Sequence, residues 1–160
     1  MTDVEFNLNG REVEQTIRPF ETLQSVLRSK MNHTSVKTGC DQGGCGSCTV
    51  LVDGEPMVSC LLPAADVEGR EVTTLEGITP DDGGLHPIQE AFLENNGTQC
   101  GYCTPGMIMN VKSLLEENPN PSDEEIKETL ANNVCRCTGW YGIIKSVEAA
   151  AEAVNGQGGD

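Results

Sequence analysis

Eight cysteines fall into two sets of four, and this pattern restricts the chain more than any other feature. Cys40, Cys45 and Cys48 have four and two residues between them, and eleven residues separate Cys48 from Cys60. Cys100 and Cys103 form a CxxC, and Cys135 and Cys137 a CxC. Four disulfides would need an oxidising compartment. The start, Met1 to Phe6, has no basic n-region, apolar h-region or twin arginine. No apolar run approaches the ~18–20 residues of a membrane span. These features predict a cytoplasmic chain, in which tightly spaced cysteines read as metal ligands. A hydrophobic content of 37% with only 4% aromatics points the same way. A core that thin needs a supplement such as metal.

The two halves differ in texture, which predicts an α+β chain. Val4, Phe6 and Leu8 alternate with polar residues, Asn9-Gly10 supplies a hairpin turn, and Val13 to Ile17 returns. A short helix is expected from Thr22 to Arg28. Beyond the cysteine loop, Cys48 to Val52 reads as a strand, turned by Asp53-Gly54 and followed by Met57 to Leu62; Val72 to Thr74 suits a last strand. After Thr79-Pro80-Asp81-Asp82-Gly83-Gly84 the apolar period becomes helical. Ile88, Ala91 and Phe92 begin one helix, and Met107 to Leu115 line a second. Ser122 to Glu125 is a capping box for a third, with Ile126, Leu130 and Val134 facing inward. Ile143 to Val154 stripe a fourth. The expected division is a first domain over 1–78, a linker over 79–86, a four-helix domain over 87–154 and a disordered tail over 155–160.

The first set has the plant-type ferredoxin spacing for a [2Fe–2S] centre. Its loop, Gly39-Cys40-Asp41-Gln42-Gly43-Gly44-Cys45-Gly46-Ser47-Cys48, is rich in glycine. Glycine permits positive φ and lets main-chain N–H groups approach cluster sulfur. A zinc site prefers paired CxxC knuckles. A phosphate loop wants Lys and Ser/Thr opening a helix, whereas a strand follows here. The second set places Cys103 before Thr104-Pro105, read as N-cap and first helical residue, and the Cys-Thr step recurs at Cys137-Thr138. Helix N-termini favour thiolates. Spacing alone also suits zinc here.

Taken in order, the motifs resemble the iron–sulfur subunit of the molybdenum hydroxylases, a family that includes xanthine dehydrogenases, aldehyde oxidoreductases and aerobic carbon monoxide dehydrogenases. The resemblance rests on Val36-Lys37-Thr38-Gly39-Cys40 through Cys48-Thr49-Val50, on Ser59-Cys60-Leu61, on Gln99-Cys100-Gly101-Tyr102-Cys103-Thr104-Pro105-Gly106, and on Asn133-Val134-Cys135-Arg136-Cys137-Thr138-Gly139. It spans roughly Val4 to Val154. It implies a β-grasp, plant-type ferredoxin-like domain followed by a four-helix domain, each holding one [2Fe–2S] cluster. Cys40, Cys45, Cys48 and Cys60 would hold the first cluster, and Cys100, Cys103, Cys135 and Cys137 the second. It also implies a large partner subunit with molybdopterin and a further subunit with FAD. Cys137 and Gln99 would then contact the pterin, although Gln99 taken alone reads as a solvated helix-end residue. Asn132-Asn133 stands where Gly-Asn is frequent, and Trp140 where Tyr is; core packing is the expectation for Trp140.

No nucleophile–base pair is recognisable, so the chain is expected to be an electron-transfer subunit that makes and breaks no bonds itself. A stand-alone two-cluster ferredoxin and a zinc-stabilised interaction module are the rival readings. His33 and His86 lie outside ligand-motif distance of any cysteine and read as loop residues. Arg136 reads equally as a surface residue and as a charge acting on the site or a partner subunit. With 25 acidic against 10 basic residues, the formal charge of −15 argues against nucleic acid and anionic membranes as partners. It fits either an ordinary acidic cytoplasmic protein or one adapted to high salt. The second reading predicts stability that rises with molar KCl as self-repulsion is screened. A chemical melt with no salt dependence would remove it.

Overall fold

The alternation in β1 (Thr2–Leu8) puts Val4, Phe6 and Leu8 on one face, and all three are buried in the computed structural model, which describes residues 1–157. Asn9 and Gly10 have φ of 53° and 78°, the left-handed pair of a two-residue hairpin. β2 (Arg11–Ile17) returns antiparallel, with Arg11 opposite Leu8. Asp53 and Gly54 repeat the device between β3 (Thr49–Val52) and β4 (Glu55–Val58). β5 (Glu71–Thr73) joins the hairpins, parallel to β1 and antiparallel to β3, in the order β2-β1-β5-β3-β4. β4 ends at Val58, short of the expected Leu62, so Cys60 lies in the turn beyond it.

The Thr22 hydroxyl accepts from the Ser25 N–H and caps α1 (Leu23–Ser25). The helix widens over Val26–Lys30, where Met31 N–H reaches back to the Val26 carbonyl. Leu23, Val26 and Leu27 are fully buried in the core shared with the sheet, which gives the expected β-grasp layout. A short α2 (Leu75–Ile78) follows the sheet. The helical half contains α3 (Pro87–Glu94), α4 (Thr104–Glu117), α5 (Asp123–Leu130) and α6 (Tyr141–Gln157). Ser122 and Glu125 form the expected capping box of α5.

Four further expectations change. His86 caps α3: its Nδ1 accepts from the Ile88 N–H, and Gln89 accepts from the His86 N–H. The cap of α4 is Cys103, because the Thr104 hydroxyl bonds Thr98 instead of the helix backbone. Val134 is 58% exposed, since α5 stops at Leu130 and the chain peels away through Asn133, whose N–H still reaches the Leu130 carbonyl. Finally, α6 runs on through Asn155 to Gln157, into the expected tail, whose remainder, 158–160, lies outside the described residues. Trp140 packs partly buried against the helical core, as expected.

There are two cores, and β3 serves both. Val50 and Val52 point into the sheet–α1 core, while Leu51 enters the helical core with Phe92, Met107 and Val147. Alternation along one strand therefore fixes the helical half to the back of the sheet.

Near α1, the buried Glu21 carboxylate accepts from Lys30 Nζ at 2.7 Å and from the Arg18 N–H at 2.9 Å. Burial raises its pKa, but those two bonds and the charges of Lys30 and Arg18 hold it below the ordinary 4.5. Such a depressed carboxylate stabilises the fold above 4.5 and ceases to as pH falls through the folded value. Glu21→Gln is expected to cost about 1–3 kcal/mol at neutral pH. Urea melts should show that deficit closing in acid.

Candidate functional site: two thiol sets across one seam

The first cysteine loop is shaped by its glycines. Gly43 and Gly46 have φ of 75° and 69°. A Cβ at Gly43 would sit 2.5 Å from Leu61 Cδ1, so Leu61 lies close over the loop. The Ser59 hydroxyl donates to the Cys48 carbonyl at 2.7 Å, fixing the approach of Cys60. From α1, Gln24 Nε2 donates to the Lys37 carbonyl at 2.8 Å and braces the segment entering the loop.

Within this set the thiols meet in twos, Cys40 with Cys45 and Cys48 with Cys60. The Gln42 N–H, 3.4 Å from Cys40 Sγ, leads several donors that lower the Cys40 thiol to about 7; the Cys45 thiol and the N–H groups of Cys45 and Gly44 add to it. The loop amides therefore already converge on sulfur. Burial, then contact with Cys48, pushes Cys60 up to about 11.

The second set is assembled from the N-terminus of α4 and the loop between α5 and α6. Cys137 Sγ lies 3.5 Å from Cys100 Sγ, and Cys103 meets Cys135. Cys103 is buried, which with its neighbour Cys135 raises it to about 12. Burial also works against the Cys135 thiolate, but the Thr138 hydroxyl at 3.0 Å and the N–H groups of Thr138 and Cys137 outweigh it, and the thiol is lowered. The contact with Cys100 raises Cys137. The two Cys-Thr steps are unlike in function. Thr104 bonds Thr98, whereas Thr138 bonds a cysteine sulfur, and α6 begins only at Tyr141. Cys135 and Cys137 therefore do not sit at a helix start. Gln99, Cys100, Arg136 and Cys137 are all exposed, and Gln99 directly precedes Cys100 at this open end of the set.

The pairing bears on what the thiols can hold. Zinc asks four ligands to converge on one ion. Among the described residues no three ligating side chains do so. A two-iron cluster asks for two thiolates on each iron, and both sets present two pairs. The donor chemistry and the glycine-lined loop fit [2Fe–2S] in each half.

The sets lie on either side of a seam crossed by main-chain and side-chain bonds. The Val134 N–H donates to the Cys45 carbonyl at 3.0 Å. Tyr102, between Cys100 and Cys103, donates its hydroxyl to the Thr38 carbonyl at 2.6 Å, with Lys37 Nζ 5.9 Å from its ring centroid. Sequence reasoning missed Tyr102 as a cross-link, because a CxxC spacer residue carries no sign of a partner 64 residues away. It also missed Asn110, a lone polar residue in the apolar stripe of α4, which bonds Asn133.

Comparison with known proteins finds an iron–sulfur domain in each half. A model of a 2Fe-2S iron-sulfur cluster binding domain matches residues 6–75, and one of a [2Fe-2S] binding domain matches 74–148. The nicotinate dehydrogenase small FeS subunit of Eubacterium barkeri is 43% identical over 93% of this chain and 94% of its own. The chain belongs to the small iron–sulfur subunits of the molybdenum hydroxylases. Quinoline 2-oxidoreductase from Pseudomonas putida 86 contains a chain of the same fold, with TM-score 0.91, 40% identity and 96% coverage of each. The aldehyde oxidoreductase of Desulfovibrio desulfuricans matches at TM-score 0.93 and 41% identity over 98% of this chain but only 18% of its own. The same unit thus occurs as a separate chain in one enzyme and as part of a much longer one in another. In this subunit two [2Fe–2S]-binding domains follow each other along one chain.

The seam needs a close approach at Gly46, since a Cβ there would collide with the Asn132 carbonyl and meet Asn133 Nδ2 at 2.5 Å. Gly46→Ala adds that collision to the strain of a positive φ and is expected to cost about 2 kcal/mol or more. Thermal melts should show the loss. Gly10→Ala, at a positive φ but in open space, should cost less.

Proposed function

We propose that this subunit passes electrons singly from a molybdopterin centre in a large partner subunit to an acceptor, in the first place a FAD-carrying subunit. Cys100, Cys103, Cys135 and Cys137 hold the pterin-side cluster, and Cys40, Cys45, Cys48 and Cys60 the outward one. Each cluster, when bound, takes up and releases one electron. The observation that carries the reading is the Val134 N–H to Cys45 carbonyl bond at 3.0 Å. Val134 adjoins Cys135, so a ligand of one set is joined to a ligand of the other by main chain and a single hydrogen bond.

The chain's own residues supply insulation and orientation. Burial of Cys48, Cys60 and Cys103 withdraws part of each set from water. The amides of Gln42, Gly44 and Cys45 and the hydroxyl of Thr138 donate toward sulfur, which stabilises added negative charge. Gln99 and Cys137 face the pterin. No residue of this chain makes or breaks a bond of the substrate, so its place in the oxidoreductase is non-catalytic. Among the described residues no helix is long and apolar enough to cross a membrane, which accords with a cytoplasmic enzyme.

A stand-alone ferredoxin is the second reading, and the open end of the second set argues against it. Cys100, Cys137 and Gln99 are exposed together, with Tyr141 and Val134, both exposed apolar residues, nearby in the same loop and helix start. A partner subunit covers such a face.

The test is metal analysis of the natively purified complex, where two two-iron clusters predict about four irons per chain. Cys135→Ser is expected to remove about two of them, and Cys60→Ser the other two, each leaving the second cluster's absorption in place. Iron in a free monomer that never co-purifies with a molybdenum subunit would favour the stand-alone carrier. Zinc in the second set would overturn the assignment there.

A further inference from the structure

Asn110 and Asn133 are almost fully buried, 3% and 2% exposed, where α4 meets the turn after α5. A chain of hydrogen bonds fixes their orientation. The Asn110 amide donates to the Gly106 carbonyl at 3.1 Å, which identifies its nitrogen, and that nitrogen also donates to Asn133 Oδ1 at 2.7 Å. Asn133 Nδ2 is thereby turned toward Gly46, where it is buried without an acceptor among the described residues. A Cβ on Gly46 would lie 2.5 Å from this nitrogen, and one on Gly106 3.1 Å from it. A Cβ on Gly106 would also collide with the Gly46 carbonyl. The Asn133 amide is therefore wedged between two glycines, one from each half of the molecule.

The position of the wedge gives it a meaning. Gly46 follows Cys45, and Asn133 precedes Val134, so the contact lies one residue from each end of the Val134–Cys45 hydrogen bond. A buried donor left unpaired costs about 1–3 kcal/mol, and a native site that keeps one calls for a reason. A smaller apolar residue would fill the space without that cost but would not be held in register by Asn110.

We infer that Asn133, locked by Asn110, is a positioning residue for electron exchange between the two clusters. It clamps the Gly46 peptide so that the Cys45 carbonyl stays against the Val134 N–H. The inference rests on the two-cluster reading above. The asparagines act through the main chain, so removing the clamp lets the two cysteine loops drift apart while each keeps its four thiols.

The test uses the intact complex with partner subunits, carrying Asn133→Ala or Asn110→Ala. Three quantities are read: iron per chain, the magnetic splitting between the two fully reduced clusters, and the rate of internal electron equilibration after a one-electron pulse. The expected result is full iron, unchanged spectra of each cluster reduced singly, and an altered or collapsed splitting. Equilibration should slow by about tenfold or more, within the ~10²-fold that a 1 Å misplacement of positioned groups can cost. A general loss of stability would lower the melting temperature without moving the splitting. Unchanged splitting and rate in fully loaded Asn133→Ala would overturn the inference. If that variant loses iron, Asn110→Ala, which leaves both loops intact, decides on the same readings. Wild-type complex without two clusters would instead sink the two-cluster reading itself.

Discussion

The Cys45 carbonyl can meet the Val134 amide only because two backbones approach closer than any side chain would permit. Gly46 and Gly106 face each other across the seam, and the missing Cβ atoms leave room for the Asn133 amide and the Gly46 carbonyl. Everything else at the site is arranged around that approach. β3 lends Leu51 to the helical core, which holds α4 against the back of the sheet. Ser113, further along α4, donates to the Gly54 carbonyl at 3.0 Å and secures the distal end of the same contact. Tyr102 closes the near end on Thr38. The seam is thus pinned at both ends and narrowest beside the cysteines.

Two small cores with few aromatics would be marginal apart, and joining them through one strand makes the helical half depend on the sheet. The thiol chemistry is consistent with metal as the remaining tie. Without metal, burial opposes ionisation of Cys60 and Cys103, while neighbouring N–H and hydroxyl donors favour it at Cys40 and Cys135. Each set therefore mixes a thiol shifted toward ionisation with at least one shifted away from it. Cations that bind such sets displace protons, and their binding energy adds to folding.

Much of this was legible in the sequence because the deciding signals are local. The Asn9-Gly10 and Asp53-Gly54 hairpins, the Ser122 capping box and the helical stripes of α4 and α6 each depend on neighbours a few residues away. The cysteine spacing gave both sets for the same reason. What stayed hidden depends on long-range partners or on unusual uses of common residues. His86 as a helix cap looks like any loop histidine until Gln89 is seen to reach back to it. Val134 continues the apolar spacing of α5, yet the chain leaves the helix before it, because its amide is claimed by the other half of the molecule. The shift of the α4 cap from Thr104 to Cys103 follows from an unusual use of a common residue, a hydroxyl bonded to Thr98 instead of the helix backbone. Asn110 is invisible as a functional residue until Asn133 lies beside it.

The burial pattern gives the pair of thiol sets a direction. Cys100 and Cys137 form an exposed pair at one end, while Cys103 and Cys135 form the inner pair of the same set, adjoining Val134. Cys45, across the hydrogen bond, belongs with Cys40, whose loop residues Asp41, Gln42 and Gly44 are exposed. Cys48 and Cys60 lie buried behind them, beside Leu61. Water thus reaches Cys100 and Cys137 in one set and the Cys40 loop in the other, while Cys48, Cys60 and Cys103 are withdrawn from it. An isolated carrier needs only one open end, because it takes and gives electrons at different encounters. One open face on each set suits a chain held between a fixed donor and a fixed acceptor.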